Sequence, residues 1–199
     1  MADTPDDARV RAAHAAVARG ERGGLERLLQ ASYPDVWRLC AVLVDEQSAD
    51  DLAQETFLRV TRALRRYRGD ASPRTWVLSI ARNVCMDELR TRHRRRRRDR
   101  QLLTDARQRP HAPDPAGVVA ATDLLGHLEP NRRAAFVLTQ LLRLSYEQAA
   151  VVCGCPPGTI RSRVARARGD LIALTVGEPR AVASGGSHLA PVRGPDESA

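Results

Sequence analysis

The stretch SYEQAAVVCGCPPGTIRSRVARARGDL, residues 145–171, decides the fold of this chain. Ser145 can cap a helix, and Gln148 stands three residues later, where its side chain completes a capping box. Gly154 ends that helix. Pro157 suits the first position of a following helix, where no amide hydrogen is needed. The pattern therefore predicts two short helices joined by a tight turn.

The second of these helices has two faces of different chemistry. The apolar face carries Ile160, Val164, Ala167 and Leu171, the opposite face carries Arg161, Ser162, Ala165 and Arg166, and Arg163 and Arg168 lie at the flanks. This layout is typical of a helix-turn-helix whose second helix enters the DNA major groove. The alternative is a solvated basic helix in an ordinary bundle, and the turn chemistry favours DNA binding over it.

Composition points to helical cores and an anionic partner. The chain has 199 residues, of which 43% are apolar and only 4% aromatic. Leu, Val and Ala cores of this kind suit helices better than sheets. The formal net charge is +8, and all 32 basic residues are arginine. Because the arginine fork bonds phosphate and guanine bidentately, a nucleic acid is the expected partner.

The four cysteines do not predict a metal site. Cys153 and Cys155 lack a second pair or a histidine pair at zinc-ligand spacing. Cys40 and Cys85 lie on apolar faces and are expected to be buried, reduced thiols. No cofactor motif is present, and no signal peptide or membrane-spanning run is recognisable. A cytoplasmic location is expected.

The periodicity predicts an all-α protein with two small helical domains joined by a basic flexible linker. The predicted segments are an N-terminal extension (1–24), a first domain (25–93), a linker (94–117), a second domain (118–175) and a disordered tail (176–199). Five consecutive arginines at 94–98 repel one another, and this repulsion sets the predicted start of the linker.

The first domain is predicted to contain three helices. The first begins at Leu25 and breaks near residues 32–34. The second spans 49–67, with Ser48 as its N-cap and Asp51 at the capping-box position. The third spans 73–93 behind Ser72. Its apolar stripe is Trp76, Val77, Ile80, Val84 and Leu89, while Arg74, Arg82 and Asn83 project elsewhere.

The second domain is predicted to open with helices at 118–128 and 130–144. Their expected core consists of Leu124, Leu125, Leu128, Phe136, Val137, Leu141 and Leu142. The helix-turn-helix at 145–171 completes this domain.

Three segments in order resemble a known family. They are DDLAQETFLRV (50–60), YRGDASPRTWVLSIARNV (67–84) and LSYEQAAVVCGCPPGTIRSRVARAR (144–168). They resemble the signature regions of extracytoplasmic-function (ECF) sigma factors of bacterial RNA polymerase, most closely the actinobacterial SigC type. The resemblance covers residues 25–171 and identifies the two domains with sigma regions 2 and 4.

The resemblance implies a role for each matching residue. Asp51, Gln54 and Glu55 would contact the beta-prime clamp helices of core polymerase, whose beta subunit would be a further partner. The −10 promoter element would be held as a single strand by the loop Tyr67, Arg68, Gly69, Asp70, Ala71, Ser72 and by Arg74, Trp76, Arg82 and Asn83 on the next helix. The −35 element would be read by Pro157, Gly158, Thr159, Arg161, Ser162, Arg163, Ala165, Arg166 and Arg168.

Some of these roles stay open at the level of sequence. Trp76 has the helical spacing of a core residue as well as the ring of a base platform. Arg161 and Arg166 could bond guanine or a phosphate. Arg74 and Arg82 suit the DNA backbone, and Asn83 suits a base edge. Many members of the family are held by an anti-sigma factor, although no residue here predicts one.

Two other classes of function also use a helix-turn-helix: dimeric repressors or activators, and DNA-modifying enzymes. A repressor or activator would dimerise on a palindromic operator, but no dimer interface is marked in the sequence. An enzyme such as a DNA recombinase would need an activated nucleophile, and the five histidines are scattered without a serine or cysteine beside them in a catalytic pattern. The expected protein is therefore a sigma factor without catalytic residues, which binds core polymerase, recognises the −35 and −10 elements and promotes DNA melting.

Overall fold

A computed structural model describes residues 5–102 and 123–176, and regular structure in these two ranges is entirely helical. The helices are α1 (Pro5–Ala18), α2 (Gly24–Leu43), α3 (Ala49–Ala63), α4 (Pro73–Leu102), α5 (Pro130–Phe136), α6 (Tyr146–Cys153) and α7 (Pro157–Val176). A 3-10 turn (Leu64–Arg66) follows α3, and a π-helical turn (Val137–Leu141) follows α5. The all-α prediction is confirmed. The predicted tail from residue 177 and the linker from residue 103 lie outside the described residues.

Helices α1 to α4 pack together around aliphatic side chains. Leu28, Leu39, Leu43, Val60 and Leu78 are fully buried. Each contributes roughly 1.5–3 kcal/mol by leaving water. The predicted break near residues 32–34 is wrong, because α2 runs continuously through Pro34.

The start of α3 differs from the predicted capping box. Ser48 is the N-cap residue, but its side chain makes no cap hydrogen bond to the helix. Its hydroxyl instead accepts a hydrogen bond from Arg92 at 2.6 Å. Arg92, which is 44 residues away in sequence, thus binds the hydroxyl oxygen that was predicted to cap the helix.

Helix α4 is longer than the sequence predicts, since it continues to Leu102 through the arginine run. Exposed arginines are good helix formers, and water screens their mutual repulsion. The last turns before the run are also tied down. Arg92 bonds Glu88 one turn earlier at 2.6 Å and pairs with Asp45, two residues beyond the end of α2. The nine residues 94–102, which were expected in the linker, are therefore helical.

The register of the second domain shifts at the π-helical turn Val137–Leu141. This turn inserts extra backbone into the helix, so the side chains after it rotate away from their expected face. Val137, Leu138 and Leu142 are buried, whereas Leu141 is 40% exposed. The prediction of Leu141 as a core residue is therefore wrong, and Leu138 fills that place. Leu128 is buried as predicted.

The helix-turn-helix forms as predicted. Gln148 N–H donates to Ser145 Oγ at 3.1 Å, and Ser145 N–H donates to the Gln148 side chain at 2.9 Å. Gly154 ends α6 with a φ of 62°, a left-handed conformation that suits glycine. Ile160 and Val164 on α7 are buried against this unit.

The two domains pack on one another and share one buried apolar cluster. Helix α4 lies against α6, and α2 lies against α5. Polar contacts reinforce this packing. Arg133 donates to the Leu43 carbonyl at 3.0 Å, and Arg74 donates to the Leu142 carbonyl at 2.8 Å. Arg82 also donates to the Asn131 side chain at 3.0 Å.

Candidate nucleic-acid and protein interfaces

The first turns of α3 carry an acidic, accessible face. Asp51 and Gln54 are exposed, and Glu55 is partly exposed while it pairs with Arg59 at 2.7 Å. Asp50 points back to α2, where it accepts hydrogen bonds from Tyr33 at 2.7 Å and Trp37 at 3.1 Å. The residues predicted to contact polymerase thus share one surface of a helix that is fixed to its neighbour.

An apolar groove of about 320 Å³ lies beside this acidic face. Its lining includes Leu29 and Gln54 together with the side chains of Tyr33, Phe57 and Leu58. Tyr33 is 43% exposed and Leu58 is 48% exposed, and the ring of Tyr33 stacks on Phe57 with centroids 6.2 Å apart. The sequence did not predict this groove, because Tyr33 and Leu58 come from different helices.

The predicted −10 loop is held by hydrogen bonds between its own side chains and nearby backbone groups. The Tyr67 hydroxyl donates to the Ala71 carbonyl across the loop. Gly69 has a φ of 83°, which side chains rarely adopt. Ser72 Oγ accepts from the Thr75 amide at 3.2 Å and caps α4 as predicted. Arg68, Gly69 and Asp70 are exposed at the tip, and Ala71 and Ser72 are partly buried.

Trp76 lies at the border between core and surface. Its ring centroid is 4.9 Å from that of Tyr67, and the two planes are tilted by 47°. Both side chains are half-buried, and Trp76 also packs against the apolar cluster. Both sequence readings of Trp76, as a core residue and as an aromatic surface, agree with this position.

The position of Arg74 disagrees with the prediction that this residue contacts DNA. It is only 3% exposed, and it bonds Asp35 at 2.7 Å and pairs with Asp7 at 3.5 Å. It also donates to the Leu142 carbonyl of the second domain. Its tertiary partners are far away in sequence, so helical periodicity could not reveal them. In this conformation Arg74 forms buried ion pairs with Asp35 and Asp7 and is not exposed to a DNA phosphate.

Arg82 and Asn83 differ in their accessibility. Asn83 is exposed on α4, so its amide is free to meet a base edge. Arg82 is partly buried and engages Asn131 in the second domain. A DNA contact by Arg82 would therefore require that hydrogen bond to break.

The predicted −35 residues lie mostly on the open face of α7. Exposed members are Pro157, Gly158, Arg161, Ser162, Ala165, Arg166 and Arg168, while Thr159 and Arg163 are partly buried. The guanidinium of Arg161 lies 5.9 Å from the centre of the Tyr146 ring. Arg168 bonds the Gln140 side chain at 2.8 Å, and Arg163 reaches the Cys155 sulfur at 3.6 Å. Arg161 and Arg166 are therefore exposed cations on the face of α7 opposite its buried side chains.

Three of the four cysteines, Cys40, Cys85 and Cys153, are buried. Cys40 and Cys85 are fully buried, with their sulfur atoms 3.6 Å apart. Their mutual hydrogen bond and their burial raise the pKa of Cys85 far above its ordinary value, so it stays a thiol. Burial also raises the pKa of Cys153. Among the described residues, no group of three His, Cys, Asp or Glu side chains could hold a metal ion.

Family comparisons match the two domains in order. The sigma-70 region 2 profile matches residues 28–95, and the sigma-70, region 4 profile matches residues 119–171. A four-helix domain with an acidic helix, followed by a helix-turn-helix domain, is thus the arrangement of a sigma-70-type factor.

Relatives narrow this class. The chain is 46% identical over 176 residues to the ECF RNA polymerase sigma factor SigC of Mycobacterium tuberculosis, covering 86% of this chain and 94% of that protein. It is 34% identical over 166 residues to the RNA polymerase sigma-H factor of Pseudomonas aeruginosa, covering 76% and 86%. The chain belongs to the ECF family of RNA polymerase sigma factors. It is accordingly a transcription initiation factor and not a catalytic enzyme.

Solved structures agree with this fold. The sigma factor RpoE of Bartonella quintana, in complex with the anti-sigma factor NepR, superposes with a TM-score of 0.62 at 26% identity, covering 77% of this chain and 98% of that chain. CnrH, in complex with the cytosolic domain of CnrY, superposes with a TM-score of 0.66 at 24% identity, covering 86% and 99%. Within residues 5–102 and 123–176, no helix has the length and apolar character needed to cross a bilayer.

Proposed function

We propose that this sigma factor docks on core RNA polymerase through α3, reads the −35 element with α7 and holds the opened −10 strand beside Tyr67 and Trp76. The observation that carries the proposal is the two-sided chemistry of α7. Ile160 and Val164 are buried, while Arg161 and Arg166 are exposed on the opposite side. A helix held in this way presents its cations to a major groove without rearrangement.

Docking on polymerase is supported by the surface of α3. Asp51 and Gln54 form an accessible acidic edge, and the groove beside Leu58 offers apolar area to a partner helix. Protein interfaces combine an apolar centre with a polar rim, and this surface has both parts. An acidic face on a chain of net charge +8 also keeps the docking surface distinct from the DNA surfaces.

The docking surface has a direct test. Glu55→Lys reverses the charge in the middle of the acidic face, and we expect it to abolish retention on immobilised core polymerase without changing the helical circular dichroism spectrum. Glu147→Lys, at an exposed acidic residue of α6, is the matched control and should bind normally. Retention of the Glu55 variant at wild-type strength would contradict docking through α3.

Capture of the −10 strand needs groups that replace the stacking lost by an unpaired base. Unstacking costs a few kcal/mol, and stacking on aromatic side chains returns about 1–3 kcal/mol per base. Tyr67 and Trp76 supply adjoining rings at the foot of the loop, and exposed Asn83 supplies an amide. Exposed Arg68 adds a cation for the strand backbone.

Engagement of both elements requires the two domains to separate. Arg82 is bonded to Asn131 across the domain contact, and the first helix of the helix-turn-helix packs on α4. A duplex in front of α7 and an opened strand in front of α4 are different segments of DNA. Binding energy from polymerase is the source that could replace the lost domain contacts.

An anti-sigma partner stays a prediction for this chain. The superposed sigma factor RpoE was solved with such a partner. Exposed faces on α3 and α7 would be the surfaces for it to cover. Affinity capture with the tagged chain, compared with the Glu55→Lys variant, would show whether a partner uses the α3 surface.

In vitro transcription with core polymerase and a library of genomic fragments tests the function as a whole. We expect discrete transcripts whose start sites share two upstream elements, and none from core polymerase alone. Tight binding of the chain alone to a palindrome, with no such transcripts, would instead indicate a repressor or activator.

A further inference from the structure

Helix α1 precedes the segment that matches sigma region 2, yet it is a fixed part of the first domain. The family match begins at residue 28, whereas α1 spans Pro5–Ala18. Val10 is fully buried and packs in a cluster with Leu28 and Ala31. Asp7 is buried and pairs with Arg74 at 3.5 Å. Core packing and a buried ion pair thus hold α1 in one position.

That position brings His14 to the predicted −10 loop. The His14 and Tyr67 ring centroids are 4.7 Å apart, and their planes meet at 74°, an edge-to-face contact. Tyr67 in turn lies 4.9 Å from Trp76. Three rings, from α1, the loop and α4, therefore form one continuous row. Each side chain is only partly buried, so each ring keeps a solvent-facing portion.

The surroundings of this row are those of a site for single-stranded nucleic acid. Arg65, Arg66 and Arg68 are exposed in the segment that leads into the loop. Burial raises the pKa of Tyr67 above its ordinary value, and the negative charge of nearby Asp70 raises it further. Aromatic rings beside a cationic track are the recurring design of single-strand binding sites.

The chemistry of His14 suits contact with a base. Histidine rings stack on nucleobases, as phenylalanine, tyrosine and tryptophan rings do. Burial lowers the pKa of His14 below its ordinary value of 6.5, which favours the neutral ring at pH 7. A neutral imidazole presents a flat face and one N–H donor.

Building on the proposed function, we infer that His14 is a third base-contacting residue of the −10 single-strand site, so that α1 forms one wall of that site. The ligand is an unstacked nucleobase of the opened strand. It lies on the exposed portions of the His14, Tyr67 and Trp76 rings while the neighbouring arginines hold the phosphates. The N-terminal helix thereby joins a DNA site whose other residues come from region 2.

The test compares two single-stranded probes with the same backbone charge. One is a fluorescent twelve-nucleotide thymidine strand, and the other is a strand of equal length whose central residues are abasic. Binding to the complex of the full chain with core polymerase is followed by anisotropy, with core polymerase alone as background. His14→Ala should weaken binding of the thymidine strand about five- to tenfold and leave the abasic strand unchanged.

Two further variants separate base contact from support of Tyr67. His14→Phe keeps a ring and should bind the thymidine strand within about twofold of wild type. His14→Leu fills a similar space without a ring, and it should bind as weakly as His14→Ala. His127→Ala removes an exposed histidine of the second domain and should have no effect. Circular dichroism melting of each variant checks that α1 remains folded.

Several outcomes would overturn the inference. Normal binding by His14→Leu would show that His14 only supports its neighbour. Equal losses on both probes would show a backbone contact or a folding defect. The result for Tyr67→Ala separates this inference from the proposed function. If Tyr67→Ala weakens thymidine binding and His14→Ala does not, only the role of His14 fails. If neither variant has an effect, the −10 site itself is misplaced.

Discussion

The two surfaces proposed to bind DNA differ in how many contacts they already make within the protein. On α7, Arg161 and Arg166 are exposed. On α4, Arg74 is buried among carboxylates and Arg82 is bonded across the domain contact. The proposed −35 surface is thus accessible to a duplex, whereas arginines of the proposed −10 surface are partly engaged in contacts within the protein. Arginine content alone therefore does not identify a DNA surface, because the partners of each arginine decide its role.

Removing the buried arginine should have the largest effect. Arg74→Ala leaves Asp35 and Asp7 without their common cation, and breaking a buried pair costs about 3–5 kcal/mol. We expect the urea unfolding midpoint to fall by a corresponding amount. The control is Arg68→Ala, an exposed loop residue that should change stability by less than about 0.5 kcal/mol. Equal stability of the two variants would mean that Arg74 is not a structural residue.

The recognition helix should show the opposite behaviour. Arg161→Ala removes an exposed side chain, so unfolding should be nearly unchanged while −35 discrimination falls by about 1–3 kcal/mol. The measurement is competition binding of the polymerase complex to promoters altered at single −35 positions. Arg65→Ala, exposed in the first domain, should leave −35 discrimination intact. A uniform loss on every sequence would make Arg161 a phosphate contact instead.

A smaller effect is expected at the domain contact. Asn131→Ala removes the acceptor for Arg82, and a single hydrogen bond of this type is worth about 1 kcal/mol. The domains of the free chain should separate more often, which limited proteolysis would report as faster cleavage between them. Asn83→Ala removes an exposed amide on α4 and serves as the control. Identical cleavage rates for the two variants would show that this hydrogen bond does not hold the domains together.

The smallest effect concerns the ion pair that fixes the extended part of α4. Burial would raise the pKa of Asp45, but hydrogen bonds from Arg92 and Ser48 outweigh it and lower that pKa below its ordinary value of 3.8. A lowered carboxyl pKa gives stability that is complete above pH 5 and is lost as the pH falls through the folded pKa.

Asp45→Asn should therefore be about 0.5 kcal/mol less stable than wild type at pH 6, and the difference should shrink as the pH is lowered through the folded pKa, to pH 3 and below. Urea unfolding at the two pH values measures it. A difference that persists unchanged in acid would contradict a role for the charged carboxylate.

Local sequence rules predicted those features that depend on neighbouring residues. The capping box of Ser145 and Gln148, the glycine end of α6 and the two faces of α7 all follow from residues within one or two turns. The prediction of a −35 face on α7 rests on the same local pattern. Such features need no knowledge of the rest of the chain.

Features that depend on distant partners were missed. The Ser48 hydroxyl accepts a hydrogen bond from Arg92, and Arg74 donates one to Asp35 on another helix. The π-helical turn before Leu142 shifts a register that strict 3.6-residue periodicity assumes. The position of His14 beside Tyr67 likewise depends on how α1 packs, which no local motif encodes.

The distance between the domains before and after polymerase binding is the most direct test of domain separation. Arg90 and Gly126 line one cavity of about 690 Å³ between the domains, so dyes at Arg90 and the adjacent His127 report on closure. A chain with Cys155→Ser, Arg90→Cys and His127→Cys would carry the two dyes. We predict efficient energy transfer in the free chain and a large drop when core polymerase and promoter DNA are added. Unchanged transfer in a complex that transcribes would contradict the claim that the −10 surface is opened by separation of the domains.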